Sequence, residues 1–305
     1  MEKISQIYDK ILKRIITLSS PAVVRFINTV FNKDFDLKSD VKYNWTESID
    51  DKLGKTIADT IITINGVFKF HIEVEISNDN SIAVRMIEYG FREAVKYSKL
   101  EDNKVVLNLP EARIIYLEHT KSTPDFVYIV FNFQDQGLCE YKIKTEKLLS
   151  YSVEELNESG MIILMPLYLL KLRKKIARYY ETKSLELALE LKALVESCIL
   201  SIETNKDHGN ITFADADTLI NLLSILFRHL YADYEIFKTE GVDAMIADRL
   251  VTYSEQVSEQ KAAERVRENA MEIARKMLNL GDSEEKVVAV TGLTREEVES
   301  LCMRI

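Results

Sequence analysis

Few residues in this chain interrupt the backbone or cross-link it. Only 9 glycines and 4 prolines occur in 305 residues, a composition that favours long regular elements over low-complexity linkers. The 3 cysteines are odd in number and far apart, so they form neither a zinc-ligand spacing nor a disulfide framework. We therefore expect a globular protein of a reducing cytoplasm.

Long apolar runs and excess positive charge are also missing. The most apolar run, residues 161–170, is too short to span a bilayer and contains Pro166, and the charged N-terminus has no signal-peptide core. The net charge of −9 gives no global attraction to nucleic acid. We expect no membrane contact, and any DNA contact must use a local basic patch or a divalent cation.

The most informative stretch is residues 57–76, IADTIITINGVFKFHIEVEI. Two β-rich runs flank Asn65-Gly66, a pair typical of a tight hairpin turn. The second run alternates strictly, so that its apolar side chains point to one face of the strand and its titratable side chains point to the other. The titratable positions are Lys69, His71, Glu73 and Glu75.

The loop length decides whether Asp59 joins this titratable face. A two-residue turn would place Asp59 on the apolar face. A three-residue loop with Gly66 in the left-handed conformation would pair Thr63 with Val67 and place Asp59 opposite His71. The burial pattern favours the odd-numbered loop, because it places Ala58, Ile62 and Ile64 on the apolar face. The predicted polar surface then contains Asp59, His71, Glu73 and Glu75.

Carboxylates that share one surface repel each other at neutral pH unless positive charge lies between them. A hard divalent cation such as magnesium suits carboxylate and water oxygens. Glu73 and Glu75, about 6.6 Å apart along the strand, could bracket such an ion. Spacing alone leaves a second interpretation open, in which this is a solvated strand face with ordinary charges.

Several segments in a fixed order resemble the PD-(D/E)XK nuclease family transposases, which are related to the recombination-promoting nucleases of bacteria. After Asp59, the segments are 71–75 (HIEVE), 85–89 (RMIEY), 116–120 (YLEHT), 123–125 (TPD), 165–168 (MPLY), 273–277 (IARKM) and 291–293 (TGL). The resemblance implies an αβββαβ nuclease core. It also implies cleavage of DNA with Mg²⁺, or with Mn²⁺ in its place, in transposition or recombination.

The resemblance assigns roles to the acidic residues. Asp59 matches the first metal-binding acid of the family and Glu73 the second. Glu75 departs from the pattern, because the signature has lysine there and the transposase-like branch usually has glutamine. Glu75 could be a third metal ligand or accept a proton from the attacking water. The alternative function is a degenerate nuclease fold that serves as a DNA-binding or regulatory module.

A helix is predicted to follow the hairpin and reach residue 98. Arg85, Tyr89 and Arg92 lie on one side of it, and Arg85 and Tyr89 also match the family motif. These three residues are the candidate phosphate-binding set. The alternative is an ordinary helix rim, whose basic residues pair with Glu88 and Glu93.

The rest of the pattern predicts an α+β fold: a mixed central sheet flanked by helices, with a restriction-endonuclease-like core, followed by an all-helical C-terminal half. Within it, residues 40–55 are expected to be irregular, 126–133 to form a largely buried strand, and 161–180 to form one α-helix. We expect a nuclease-like core over residues 1–150, a helical domain over 151–250, and a helical connector with a terminal hairpin over 251–305. A basic helical face is predicted at the end of the central apolar run. It is either a second phosphate contact or an ordinary solvated stripe, which is the usual role of charged residues along a helix. Its residues are Lys171, Lys174, Lys175 and Arg178.

The last two helices resemble a helix-turn-helix, and Thr294 with Glu297 forms a capping-box pattern at the second of them. This second helix carries three glutamates against Arg295, which opposes contact with a phosphate backbone. We therefore expect the terminal hairpin to serve packing or regulation. The expected partner is DNA, and a homo-oligomer remains an open alternative.

Overall fold

The chain divides into an α+β unit, Met1–Ala247, and a helical unit, Asp248–Ile305. The computed structural model describes residues 4–45, 48–49, 55–56, 60–76, 81–178, 184–234 and 241–302. The sheet lies in the first half of the chain and the second half is helical. The predicted α+β class is therefore confirmed.

A six-stranded mixed sheet forms the centre of the first unit. Its strands are β1 (Val41–Trp45), β4 (Thr60–Ile64), β5 (Phe68–Glu75), β8 (Glu111–Tyr116), β9 (Phe126–Asn132) and β10 (Leu138–Lys147). They lie in the order β1-β4-β5-β8-β10-β9. β8 runs parallel to both β5 and β10, whereas the other neighbours are antiparallel. Two small hairpins stand apart from this sheet, β2 (Ser48–Ile49) with β3 (Lys55–Thr56) and β6 (Lys99–Glu101) with β7 (Lys104–Val106).

Helices cover both faces of β5. The first helices are α1 (Ile4–Ile16), α2 (Ser20–Phe31) and α3 (Ile82–Lys96). On one face the ring of Phe70 packs against Phe31 of α2, with 4.7 Å between ring centroids, and against Phe35. On the other face Ile82 and Met86 of α3 form a buried cluster with β8 and β10 residues. β5 is therefore an interior strand with a helix packed against each face of its middle.

The turn of the β4–β5 hairpin has three residues, 65–67, as predicted. Asn65 and Gly66 both have positive φ, and the Val67 N–H donates to the Ile64 carbonyl at 3.2 Å. The predicted pairing was wrong, because Thr63 lies opposite Lys69. The reason is that the turn starts one residue later than expected. Ile61, and not Asp59, therefore lies opposite His71.

After the sheet, the described residues form a series of helices that complete the first unit and reach into the second. These are α4 (Val153–Glu158), a 3₁₀ helix (Ile162–Leu172), α5 (Arg173–Ile176), α6 (Leu185–Asp207), α7 (Phe213–Tyr231) and α8 (Val242–Asn279), with a short 3₁₀ turn at Leu148–Ser150. The sequence predicted one α-helix over residues 161–180. Pro166 has no N–H to donate, and its ring disfavours a continuous α-helix, which fits the observed 3₁₀ segment.

The second unit ends in two short helices, α9 (Glu284–Thr291) and α10 (Arg295–Cys302). They pack with the end of α8 around a core of five buried side chains, Ala274, Val287, Leu293, Val298 and Leu301. Gly292 ends α9 with a positive φ of 70°, and its N–H donates to the Val288 carbonyl. The predicted pair of terminal helices is confirmed.

Two local predictions were wrong. Residues 40–55 were expected to be irregular, yet Val41–Trp45 is a sheet strand. The strand at 126–133 was expected to be buried, yet β9 is an edge strand in which Tyr128 and Val130 are about half exposed. An edge strand has a neighbour on one side only, so apolar residues in it need not be covered. Within the described ranges, no helix combines the length and apolarity that a membrane span requires.

Candidate functional site

Glu73 and Glu75 lie near the carboxyl end of β5, where that strand runs parallel to β8. Glu73 pairs with Ile114, and Glu75 pairs with Tyr116, the last residue of β8. Backbone hydrogen bonds continue past the end of β8, since the Glu118 N–H donates to the Ile76 carbonyl at 2.8 Å. The carboxyl ends of neighbouring parallel strands are a common place for binding sites in α/β sheets. We call this region the carboxyl edge, defined by Glu73, Glu75 and Glu118.

The titratable face of β5 is covered by α3 instead of being open to solvent. His71 is only 1% exposed, and Lys69 donates to the buried Glu93 of α3 at 2.8 Å. At the carboxyl edge the guanidinium of Arg85, also on α3, donates to Glu75. The positive charge beside Glu75 therefore comes from the side chain of Arg85. The pattern of alternating residues correctly grouped these side chains but gave no sign of the helix above them.

Glu118 is a functional candidate that the sequence analysis passed over. Its side chain is 7% exposed, and it lies 3.1 Å from Arg173 Nε and 2.8 Å from Lys174 Nζ of α5. Arg173 also donates to the Tyr8 hydroxyl at 3.3 Å, and burial raises the pKa of Tyr8. A buried carboxylate needs such partners. The position of Glu118 inside the family-like segment 116–120, together with the basic run at 171–178, was the available signal.

The candidate phosphate-binding residues have distinct surroundings. Arg85 contacts Glu75, and its side chain is 36% exposed. Tyr89 is buried, and the Arg92 guanidinium lies 5.9 Å from the Tyr89 ring centroid. Arg92 also pairs with Glu88 at 2.6 Å, which is the pairing that the helix-rim alternative describes. A role for Arg85, Tyr89 and Arg92 in phosphate binding stays a prediction.

One residue of the basic run 171–178 reaches the carboxyl edge. Lys174 contacts Glu118, whereas Lys175 pairs with Glu190 of α6 at 2.7 Å. Lys171 donates to the Tyr168 hydroxyl. The exposed members of the run, Lys171, Lys174, Lys175 and Arg178, therefore extend from the carboxyl edge along a helical surface.

Metal binding depends on a residue that the structure does not describe, because Asp59 lies outside the described residues. Glu73 and Glu75 have the hard oxygen donors that magnesium prefers. Within the part of the chain that is described, no group of three or more His, Cys, Asp or Glu residues could hold a metal ion. The donor chemistry at the carboxyl edge thus fits a divalent cation, but Glu73 and Glu75 alone do not form a site for one.

The terminal hairpin of the second unit has the geometry of two helices joined by a short turn. Its second helix, α10, carries fixed negative charge. The Thr294 backbone N–H and hydroxyl, together with Arg267, hold the pKa of Glu297 below its ordinary value. Arg295 is engaged as well, since it pairs with Glu299 at 3.2 Å. This helix therefore offers little positive charge to a phosphate backbone.

A protein-family model matches residues 267–303. This segment is similar to the C-terminal HTH domain of the Rpn/YhgA-like nuclease family. The matched segment contains the end of α8, α9 and α10, which together form the core of the terminal hairpin. Comparisons with curated proteins and with solved structures found no match.

Proposed function

We infer that this protein is a metal-dependent DNA endonuclease that acts in recombination or transposition. The observation that carries this proposal is the carboxyl edge. There Glu75, at the end of β5, and Glu118, just past the end of the parallel strand β8, contact basic residues of α3 and α5. The similarity of residues 267–303 to the C-terminal domain of a nuclease family supports the same function. Acidic and basic side chains together at a strand end suit the binding and hydrolysis of a phosphodiester.

In this proposal Asp59 and Glu73 hold Mg²⁺ or Mn²⁺. The three-residue turn supports their convergence. It places Ile64 opposite Phe68 and Thr60 opposite Ile72, so an odd number of residues separates the two members of each pair, as the proposal requires. A divalent cation supplies Lewis acidity, which stabilises negative charge that develops on the phosphoryl oxygens. The carboxylates fix the position of the cation, and α3 excludes bulk water from the strand face beside them.

Glu75 occupies the position where the nuclease signature has lysine. We assign it the role of accepting a proton from the attacking water. Arg85 orients Glu75 and supplies, from α3, the positive charge that a lysine at position 75 would bring. An arginine cannot itself act as the base at neutral pH, so the two roles of one lysine are divided between two side chains.

DNA approaches through local basic surfaces, because the chain as a whole carries a net charge of −9. The exposed basic run 171–178 provides phosphate contacts beside the carboxyl edge, and Arg85 provides one within it. Binding through such contacts weakens as salt concentration rises. The acidic α10 does not take part, and the terminal hairpin serves packing or regulation.

A second candidate function is a degenerate nuclease fold that binds DNA without cutting it. The ion pair of Glu75 with Arg85 favours this alternative, because it occupies the carboxylate that would otherwise meet the cation or the water. Under this alternative the basic surfaces bind DNA with the same salt dependence, and divalent cations have no effect on the phosphodiester.

Plasmid nicking by the purified protein, with magnesium, manganese or EDTA, separates the two functions. We expect cation-dependent nicking that Glu73→Gln lowers by about 100-fold or more. Glu88→Gln is the matched control, because Glu88 is an exposed acid that pairs with Arg92 on α3. Magnesium should also raise the melting temperature of the wild type but not of Glu73→Gln.

Two results would contradict this proposal. Nicking that Glu73→Gln leaves unchanged would place the activity elsewhere. DNA binding without nicking in either metal, and with no shift of the melting temperature, would establish the degenerate binding module instead.

A further inference from the structure

A separate cavity of about 410 Å³ lies at the opposite end of β5, beside the hairpin turn. Its floor is a row of three residues that face each other across neighbouring strands. Lys42 of β1 pairs with Thr63 of β4, and Thr63 pairs with Lys69 of β5. Lys69 precedes Glu75 by six strand residues, so this cavity is about 20 Å from the carboxyl edge. The remaining lining residues are Gly66, Val67, Tyr97, Lys99, Asn108 and Leu109.

Positive charge dominates this cavity in an otherwise acidic chain. Three lysines line it, and none of the described lining residues is acidic. Glu93 contacts both Lys69, at 2.8 Å, and Lys96, at 3.4 Å, so its single charge does not neutralise both ammonium groups. Lys42 lies 3.5 Å from Asp40, and both side chains are more than half exposed, which makes a weak pair. An anion is therefore the expected occupant.

Thr63 adds an observation that is independent of charge. It is only 6% exposed, and its hydroxyl has no hydrogen-bond partner among the described residues. A buried hydroxyl without a partner has a cost in stability, because its hydrogen bond to water is lost on folding and is not replaced. A protein tolerates such a cost most readily where a ligand supplies the missing partner. Thr63 lies between Lys42 and Lys69 in the row and lines the cavity, so the residue with the unpartnered hydroxyl is next to the lysines.

The rim of the cavity is apolar and exposed. Val67 is 72% exposed, Tyr97 58% and Leu109 40%. The ammonium of Lys69 lies 3.2 Å from the centroid of the Tyr97 ring, so the aromatic wall and the charged floor adjoin. A ligand that matches both parts carries an anionic group and a flat, weakly polar group. The volume lies within the range of about 300–1,000 Å³ that is usual for small-molecule sites.

We propose that this cavity binds a nucleoside phosphate, either as a free nucleotide or as the end of a nucleic-acid strand. The phosphate lies on Lys42, Thr63 and Lys99, and the base packs against the apolar rim. Asn108 offers an amide for hydrogen bonds to the sugar or the base. This site goes beyond the proposed cleavage function, because it needs neither a metal ion nor the residues of the carboxyl edge.

Isothermal titration of the full chain in EDTA tests the site without interference from cleavage. The probes are inorganic phosphate, deoxyadenosine 5′-monophosphate, and a 5′-phosphorylated strand of five deoxythymidines. Lys99→Glu and Lys42→Glu should each weaken nucleotide binding by about tenfold or more. Lys104→Glu is the matched control, because this exposed lysine of the neighbouring β7 does not line the cavity. Preference for the nucleotide identifies a free ligand, and preference for the strand identifies a nucleic-acid end.

Thr63→Val distinguishes a ligand contact from a purely structural role. Removal of an unpartnered hydroxyl should leave the melting temperature unchanged or raise it, because the buried polar group is lost without loss of volume. Binding of deoxyadenosine monophosphate should nevertheless weaken by about fivefold or more. The proposal is overturned if none of the three probes binds at millimolar concentration. It is also overturned if Lys99→Glu and Thr63→Val both bind the nucleotide as strongly as the wild type does.

Discussion

The two ends of β5 meet the same helix through ion pairs of opposite polarity. Near the hairpin turn, Lys69 of the strand pairs with Glu93 of α3. Near the carboxyl end, Glu75 of the strand pairs with Arg85 of α3. The pairs differ in exposure: the side chains of Lys69 and Glu93 are 15% and 0% exposed, whereas those of Glu75 and Arg85 are 23% and 36% exposed.

This difference separates a structural pair from an accessible one. Glu93 has left water completely, so its charge depends on protein partners, and removal of a partner leaves a buried charge uncompensated. Glu75 and Arg85 keep contact with solvent, which screens their attraction and allows a ligand to replace it. The same strand and helix thus hold the fold together at one end and leave charged groups available at the other.

The largest effect is expected when the buried pair is broken. Glu93→Leu leaves Lys69 facing the protein interior without its closest carboxylate, and we expect a loss of about 3 kcal/mol in the free energy of unfolding. Urea denaturation measures this loss. The double variant Lys69→Leu/Glu93→Leu should recover most of it, because no unpaired charge remains. A single variant as stable as the wild type would show that the pair does not contribute to folding.

An intermediate effect is expected at Glu118, which is buried like Glu93 but belongs to the carboxyl edge. Glu118→Gln removes the charge that Arg173 and Lys174 share, and should lower the free energy of unfolding by about 2 kcal/mol. Glu190→Gln is a control, because its exposed pair with Lys175 should contribute less than about 0.5 kcal/mol. Equal losses in the two variants would contradict the importance of burial.

The smallest effect on stability is expected at the exposed pair. Arg85→Gln should change the free energy of unfolding by less than about 1 kcal/mol, and the change should shrink further in high salt. The same variant should lower DNA binding measured by fluorescence anisotropy in low salt, because it removes the proposed phosphate contact. Loss of stability as large as in Glu93→Leu would mean that Arg85 is a structural residue, and would remove the contrast between the two ends.

Much of the fold could be predicted from local patterns. Alternating residues gave the strand 68–75, and Asn65-Gly66 gave the turn, because glycine and asparagine tolerate the positive φ that such a loop requires. Helical periodicity predicted that the chain is helical after residue 152, although Ile162–Leu172 forms a 3₁₀ helix and not part of a continuous α-helix. The irregular appearance of residues 41–45 was misleading, since this strand is held by its pairing with β4 and not by its own pattern.

The candidate site could be predicted only in part. The sequence grouped Glu73 with Glu75 because residues two apart share a strand face, and it marked Arg85 because that residue lies on the following helix. It could not show that Arg85 meets Glu75, or that Glu118 meets residues 173 and 174 more than fifty positions away. These contacts depend on how helices dock on the sheet, which local patterns do not encode.

The sequence by itself determined the class of the fold and the odd number of residues in the hairpin loop, because both follow from residue order over short distances. It also determined the acidic character of the chain, which follows from composition. Only the tertiary structure decided that the titratable face of β5 lies beneath α3, and which of its charges are buried. Burial depends on the approach of segments distant in sequence, and burial sets whether an ion pair is structural or accessible. The basic cavity at the hairpin turn has the same origin, since Lys42, Thr63 and Lys69 come together only through the pairing of three strands.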